Sequence, residues 1–222
     1  MKAKHKLFDL RKLPMDMARL LYVLLLPYYR LRRRTPEGKK YRARLRGGAV
    51  IAANHSAFAD PFVMGATFWY RRMYWMAAET VVRGKLQGPL LEAAGAIKVD
   101  RQIADIEAIR KAVTVLKEGY LLGIFPEGGI QDGDGVQSVK SGCVLLAVQA
   151  DVPIIPMHIA PRAHWYQRRR VVIGEPIMPK AHFTKKFPTT ADLDRVAQLV
   201  MEEMSRCATA VQEEAVCKHS ND

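Results

Sequence analysis

The feature that most constrains the fold is an alternation that begins after residue 47, where short unbroken apolar runs take turns with longer stretches of helical periodicity. Ala49–Ala53 (AVIAA), Met73–Ala78, Tyr120–Phe125 (YLLGIF) and Ile154–Ala160 are too short for helices and read as buried strands. Val171–Ile173 reads as an added strand at the sheet edge. Between the runs, Ile103, Ile106, Ile109, Val113 and Leu116 recur at helical spacing, and Gly119 stands where such a helix would stop. Near the end, Thr189 and Asp192 make a capping-box-like start to a helix with Leu193, Val196, Ala197, Val200 and Met204 on one face. This pattern predicts an α/β fold, a mostly parallel central sheet flanked by helices. With no repeat and no Pro/Gly/Ser-rich linker, residues 47–217 read as one domain and 218–222 as a frayed tail.

Charge divides the 222-residue chain differently. Residues 1–46 carry 15 Lys/Arg against three acids (Asp9, Asp16, Glu37), whereas the rest of the chain carries 20 against 19, so nearly all of the net +13 sits in the N-terminal segment. A nucleic-acid-binding domain would carry its basic stripe on the folded body, which ranks nucleic acid last among the anionic partners. The segment also holds the run Met15–Tyr29 (MDMARLLYVLLLPYY), with Lys2, Lys4, Lys6, Arg11 and Lys12 before it and Arg30, Arg32, Arg33 and Arg34 after it. Asp16, Arg19 and Pro27 interrupt the run, and a membrane-spanning helix needs about 20 mainly apolar residues. The expectation is a helix lying in the membrane interface, its arginines on anionic headgroups, with a Leu-rich helix packed on the domain as the competing reading. No small-residue cleavage site follows the run, so the segment is not read as a signal peptide. Cys143, Cys207 and Cys217 are odd in number and lack metal-ligand spacing, which suits reduced thiols. The expected location is the cytoplasmic face of the cell membrane, with peripheral or monotopic attachment.

Three segments carry candidate chemistry. Asn54-His55-Ser56-Ala57-Phe58-Ala59-Asp60-Pro61 follows the first buried strand, and open α/β sheets bind ligands at the carboxyl ends of their strands. His55 is a candidate general base, and Asp60 could accept its other ring proton, fixing the tautomer and stabilising the imidazolium as it forms. Asp60-Pro61 is equally an ordinary helix start, with Asp at the cap and Pro at the first helical position. No Ser or Cys sits in a nucleophile motif, so the base would act on a hydroxyl or amine of the substrate. Phe125-Pro126-Glu127-Gly128-Gly129 ends another strand and opens a loop through Gly133 and Gly135, where backbone amides could approach an anion. Lys140 and Gly142 follow, placing a lysine near a helix start where phosphate could bind. Asp132-Gly133-Asp134-Gly135 lacks the remaining ligands of an EF-hand, and no metal site is expected. In Gly95–Arg101 (GAIKVDR), Arg101 could fork onto a phosphate or be a surface charge at a helix start.

Together these segments resemble the PlsC-type glycerolipid acyltransferase family, which includes the 1-acylglycerol-3-phosphate acyltransferases. Asn54, His55 and Asp60 match its first motif (HX4D), Gly95–Arg101 its Gly-x-x-x-x-Asp-Arg, Phe125–Gly128 its Phe-Pro-Glu-Gly, and Val152–Pro156 its Val-Pro-Ile-Ile-Pro. Lys140 and Gly142 are similar to its Lys-x-Gly. The resemblance covers roughly residues 47–175. It implies that His55 deprotonates a lysophospholipid hydroxyl for attack on an acyl thioester of coenzyme A or acyl carrier protein, with Asp60 orienting it and no other cofactor. It also implies that Arg101, Glu127, Gly128, Gly129 and Lys140 belong to the substrate-binding set. One departure stands out. Where the family continues Glu-Gly-Thr-Arg or Glu-Gly-Ser-Arg, this chain has Gly128-Gly129-Ile130, and losing a charge-assisted contact to a phosphate costs ~1.5–3 kcal/mol. The alternatives this leaves for the acceptor are another lysolipid, an amine, or, in a non-catalytic relative, a lipid that is only held.

Overall fold

A computed structural model describes residues 9–29, 31–79, 87–100, 105–126, 141–161, 167–183 and 188–219. Among these residues, seven strands form one sheet: β1 (Arg32–Arg34), β2 (Ala49–Ala53), β3 (Met73–Ala78), β4 (Ala96–Val99), β5 (Leu121–Ile124), β6 (Ile154–Ile159) and β7 (Arg170–Ile173). Their order is β1-β7-β6-β2-β5-β3-β4. Strands β2 to β6 run parallel, whereas β7 is antiparallel to β6 and β1 runs parallel to β7. Among the described residues the α-helices are α1 (Leu13–Tyr29), α2 (Asp60–Thr67), α3 (Gln87–Ala93), α4 (Ile106–Lys117), α5 (Gly142–Ala150) and α6 (Thr190–His219). The α/β expectation with a mostly parallel sheet therefore holds.

The unbroken apolar character of AVIAA has a direct cause, because β2 is covered on both faces. Val50 and Ala52 pack with α4, α5 and α6 through Ala112, Leu116, Val144, Ala147, Val196 and Val200. Ala49, Ile51 and Ala53 point the other way, into a core shared with Tyr22 of α1 and Val63 and Met64 of α2. Gly123 in the neighbouring β5 is required by this packing, since a Cβ there would come within 2.7 Å of the Trp75 ring. The helix ends follow their local chemistry. Asp105 caps α4 by accepting from the Ala108 amide at 2.9 Å, and Gly119 closes that end at φ +87°. Ile103 of the predicted helix lies outside the described residues. Thr189 and Asp192 form the reciprocal cap expected of their spacing, each side chain bonding the other's amide.

Two sequence-based expectations are corrected. Val171–Ile173 belongs to β7, which is not the edge: β1 lies outside it, pairing Arg32 with Arg170, Arg33 with Val171 and Arg34 with Val172. An Arg-Arg-Arg triplet carries no apolar alternation, and the pairing is made by its backbone. Asp60 is the first residue of α2 with Pro61 second, and the cap position falls on Ala59. Its carboxylate is turned back to amides that precede the helix, as described below.

The polar interruptions of the N-terminal run are what docks it. Asp16 is buried and accepts from Arg72 Nε and Nη2, each at 2.8 Å, from Arg19 Nη1 at 3.0 Å and from the Asp9 amide at 2.9 Å. Burial alone would raise the Asp16 carboxyl, but the bonds from Arg72 and the Asp9 amide outweigh it and hold it below the ordinary carboxylate value. Tyr22 packs so closely on α2 that a Cβ at Gly65 would meet its ring at 2.7 Å. The opposite face of α1 is apolar and exposed: Leu13, Met17, Leu20, Leu21 and Leu24 recur along one stripe, with Leu24 67% exposed. Both readings of the segment thus have their counterpart, one face packed on the domain and one left apolar. Among the described residues no helix is long and apolar enough to cross a membrane.

Candidate active site

Because β2 to β6 are parallel, their carboxyl ends open onto one edge of the sheet, and Asn54, Asp100, Phe125 and Ala160 all emerge there. Asn54 stitches two of these ends together. Its Nδ2 donates to the Ile159 carbonyl at 3.1 Å, and its Oδ1 accepts from the Ile159 amide at 2.7 Å, joining residues 105 apart in sequence. The side chain thereby continues the β2/β6 pairing one step beyond the strand and fixes where the next residue begins.

That residue is His55. Its Nδ1 lies 3.3 Å from Asp60 Oδ2, and its ring stacks on Phe125 with centroids 4.1 Å apart and planes 19° from parallel. A stack of this kind contributes about 0.5–1.5 kcal/mol beyond area burial and denies the imidazole its rotational freedom. Asp60 is 0% exposed. Its Oδ2 also accepts from the amides of Ser56 at 2.8 Å and Ala57 at 2.7 Å, so the loop between histidine and aspartate is wound around the carboxylate that orients the ring. Four intervening residues suffice to close this loop, which is the physical content of the spacing. The side chain of His55 is mostly covered but keeps 16% of its surface exposed.

The first and third motif segments therefore meet, His55 against Phe125. Gly95 begins the second at φ +109°, where a Cβ would press within 3.0 Å of both the Met73 carbonyl and Met15. Its β4 continuation brings Asp100 to the same edge, where the Asp100 amide donates to Asp105 at 3.3 Å. Arg101, Glu127, Gly128, Gly129 and Lys140 lie outside the described residues. The Val152–Pro156 segment enters β6, buried beside β2, and serves the core.

A residue that sequence reasoning passed over faces the dyad. Arg169, immediately before β7, is buried, and its Nη2 lies 4.0 Å from Asp60 Oδ1. Its only sequence signal is membership of the triplet Arg168–Arg170, which reads as surface charge. The described cysteines take no part: burial pushes the thiols of Cys143 and Cys207 up to about 12, which keeps them protonated and unreactive. Among the described residues, no cluster of His, Cys, Asp and Glu is suited to hold a metal.

A sheet edge presenting a partly exposed histidine with one ring nitrogen tied to a buried aspartate equips an α/β enzyme for group transfer through proton abstraction. The chain belongs to the Acyltransferase family, whose model matches residues 33–160. It is an acyltransferase of the PlsC type. It is 27% identical over 162 residues to the 1-acyl-sn-glycerol-3-phosphate acyltransferase of Bacillus subtilis (strain 168), a stretch covering 70% of this chain and 80% of that one. With the enzyme of the same name from Limnanthes alba it shares 33% identity over 142 residues, 59% of this chain and 49% of the relative. The crystal structure of the 1-acyl-sn-glycerophosphate (LPA) acyltransferase PlsC from Thermotoga maritima has the same fold, with a TM-score of 0.63 at 18% identity over 92% of this chain and 83% of that one.

Proposed function

We propose that this acyltransferase moves a fatty acyl group from a thioester of coenzyme A or acyl carrier protein to the hydroxyl of a lysophospholipid, with 1-acyl-sn-glycerol-3-phosphate as the leading acceptor. The observation that carries the reading is the His55–Asp60 pair stacked on Phe125 at the carboxyl edge of the sheet. The acceptor class is that of the relatives, which are 1-acyl-sn-glycerol-3-phosphate acyltransferases.

The chemistry follows from the donors and acceptors present. A carboxylate only accepts hydrogen bonds, so Asp60 selects the tautomer with the proton on His55 Nδ1 and leaves Nε2 as the base. Nε2 removes the acceptor's hydroxyl proton as its oxygen attacks the thioester carbonyl carbon. The C–O bond forms, the C–S bond breaks, and the imidazolium returns its proton to the departing thiolate. No covalent acyl-enzyme is needed. Arg101, Lys140 and the Gly128–Gly129 backbone are the proposed phosphate-side contacts, and Glu127 joins them in the substrate-binding set, all carried over from the family resemblance.

We further propose that the enzyme works on the cytoplasmic face of the cell membrane, held there by the N-terminal segment. The exposed apolar stripe of α1 and the basic residues around it favour an interfacial position on anionic lipid. Gly129 and Ile130, where the family has Thr/Ser-Arg, favour a second acceptor as the alternative. An acceptor panel tests this. The purified enzyme is given long-chain acyl-CoA or acyl carrier protein with lysophosphatidic acid, larger-headgroup lysophospholipids and simple amines, and products are identified by mass. Acylated lysophosphatidic acid as the main product is the expected result. Product from another acceptor alone would replace the assignment and mark Gly129-Ile130 as a specificity change.

A further inference from the structure

We propose that Arg169 is a positioning residue for acyl transfer, holding the Asp60 carboxylate in the orientation in which it serves His55. The inference rests on the reading of His55 and Asp60 as base and orienter.

The two oxygens of Asp60 have unlike surroundings. Oδ2 receives the amides of Ser56 and Ala57 as well as the His55 ring, whereas Oδ1 is buried and has no hydrogen-bond partner among the described residues. A fully buried carboxylate needs its charge compensated. Among the described residues, the guanidinium of Arg169 faces Oδ1, with Nη2 at 4.0 Å and a side chain 5% exposed. That distance is too long for a hydrogen bond but short for two charges shielded from water. The arrangement suits the chemistry. An arginine forked onto both oxygens would compete with His55 for Oδ2, whereas one held against the far oxygen compensates the charge and leaves Oδ2 to the imidazole.

Arg169 is itself fixed by the sheet. Nη1 donates to the Ala160 carbonyl at the end of β6 at 3.1 Å, and its own carbonyl accepts from the Arg32 amide at 2.9 Å as β1 joins the sheet. The outer strands thus bring a cation to the carboxyl edge from outside the four motifs. On this view the orienting unit of the reaction is Arg169–Asp60–His55.

The test uses the full chain, with long-chain acyl-CoA and lysophosphatidic acid as probes. Arg169→Met is expected to lower kcat about 10–100-fold while KM for both substrates stays within about twofold, and Arg169→Lys to recover most of the loss. In an Asp60→Asn background, Arg169→Met should cost nothing further, because its effect passes through that carboxylate. Wild-type kcat in Arg169→Met, an equal loss in Arg169→Lys, or a full additional loss in the Asp60→Asn background would overturn the proposal. Should Arg169→Met fail to fold, thermal melting of the Asp60→Asn/Arg169→Met double variant decides. Recovery of the folded state supports the pairing, and continued unfolding would make Arg169 purely structural. Failure of the dyad reading looks different, for then His55→Ala itself keeps its activity.

Discussion

Asp60 concentrates the residue-scale logic of the site. One oxygen gathers two loop amides and an imidazole, the other faces a buried arginine, and the side chain also opens α2. Asp60→Asn keeps the size but removes the charge, and its amide group must either lose the loop amides or offer His55 a donor in place of an acceptor. The expected result is a loss in kcat of about 10²–10⁴-fold with a retained fold, measured by steady-state kinetics beside circular dichroism. Unchanged turnover would exclude Asp60 from the reaction. His55 and Asp60 were legible in the sequence because their spacing places both at the end of one buried strand. Phe125 was legible as part of a motif, but its stacking against His55 was not, since the pairing of β2 with β5 decides which ring lies beside the imidazole. Arg169 was illegible because an arginine within a basic triplet carries no sign that one member turns inward.

Among the elements, α1 changes meaning most between sequence and structure. Asp16 and Arg19, which read as breaks in an apolar run, are its attachment to the body through Arg72 and the Trp69 carbonyl. Asp16→Asn leaves Arg72 buried without its anion and should destabilise the protein by about 3–5 kcal/mol in urea unfolding. The pH dependence follows in sign. Because the folded Asp16 carboxyl lies below its ordinary 3.8, the unfolded chain takes up the proton first on acidification. The pair's contribution is complete above the ordinary value and lost as pH falls through it toward the lower folded value, so the wild type should lose more stability between pH 5 and 3 than Asp16→Asn does. Equal losses would show that the pair contributes nothing. Deleting residues 1–46 would remove both β1 and Asp16, which makes surface changes the sharper probe of lipid binding. Met17→Glu combined with Leu24→Glu alters the exposed stripe alone. Flotation with anionic vesicles should fall severalfold at unchanged melting temperature, whereas undiminished flotation would refute the α1 contact. The strand β1 eluded sequence reading for a related reason, its pairing being carried by backbone and its side chains being three arginines.

For the molecule as a whole, the alternation of apolar runs and amphipathic helices was enough to read the layered α/β architecture, because strands covered on both faces leave that pattern directly in the sequence. The strong charge asymmetry was equally legible, but its structural use was not. Residues from the basic segment dock a helix, add a strand and, through the Arg32 amide, help to plant Arg169 beside Asp60. Fold and site are therefore one construction: parallel strands deliver His55 and Phe125 to a shared edge, and the outer strands bring the arginine that faces their aspartate. The most direct measurement of the central claim is product formation by purified His55→Ala, against wild type, from long-chain acyl-CoA and lysophosphatidic acid, with the variant's fold verified by its melting curve. The account predicts a folded variant with turnover reduced by about 10²–10⁴-fold. A folded variant with wild-type turnover would contradict it.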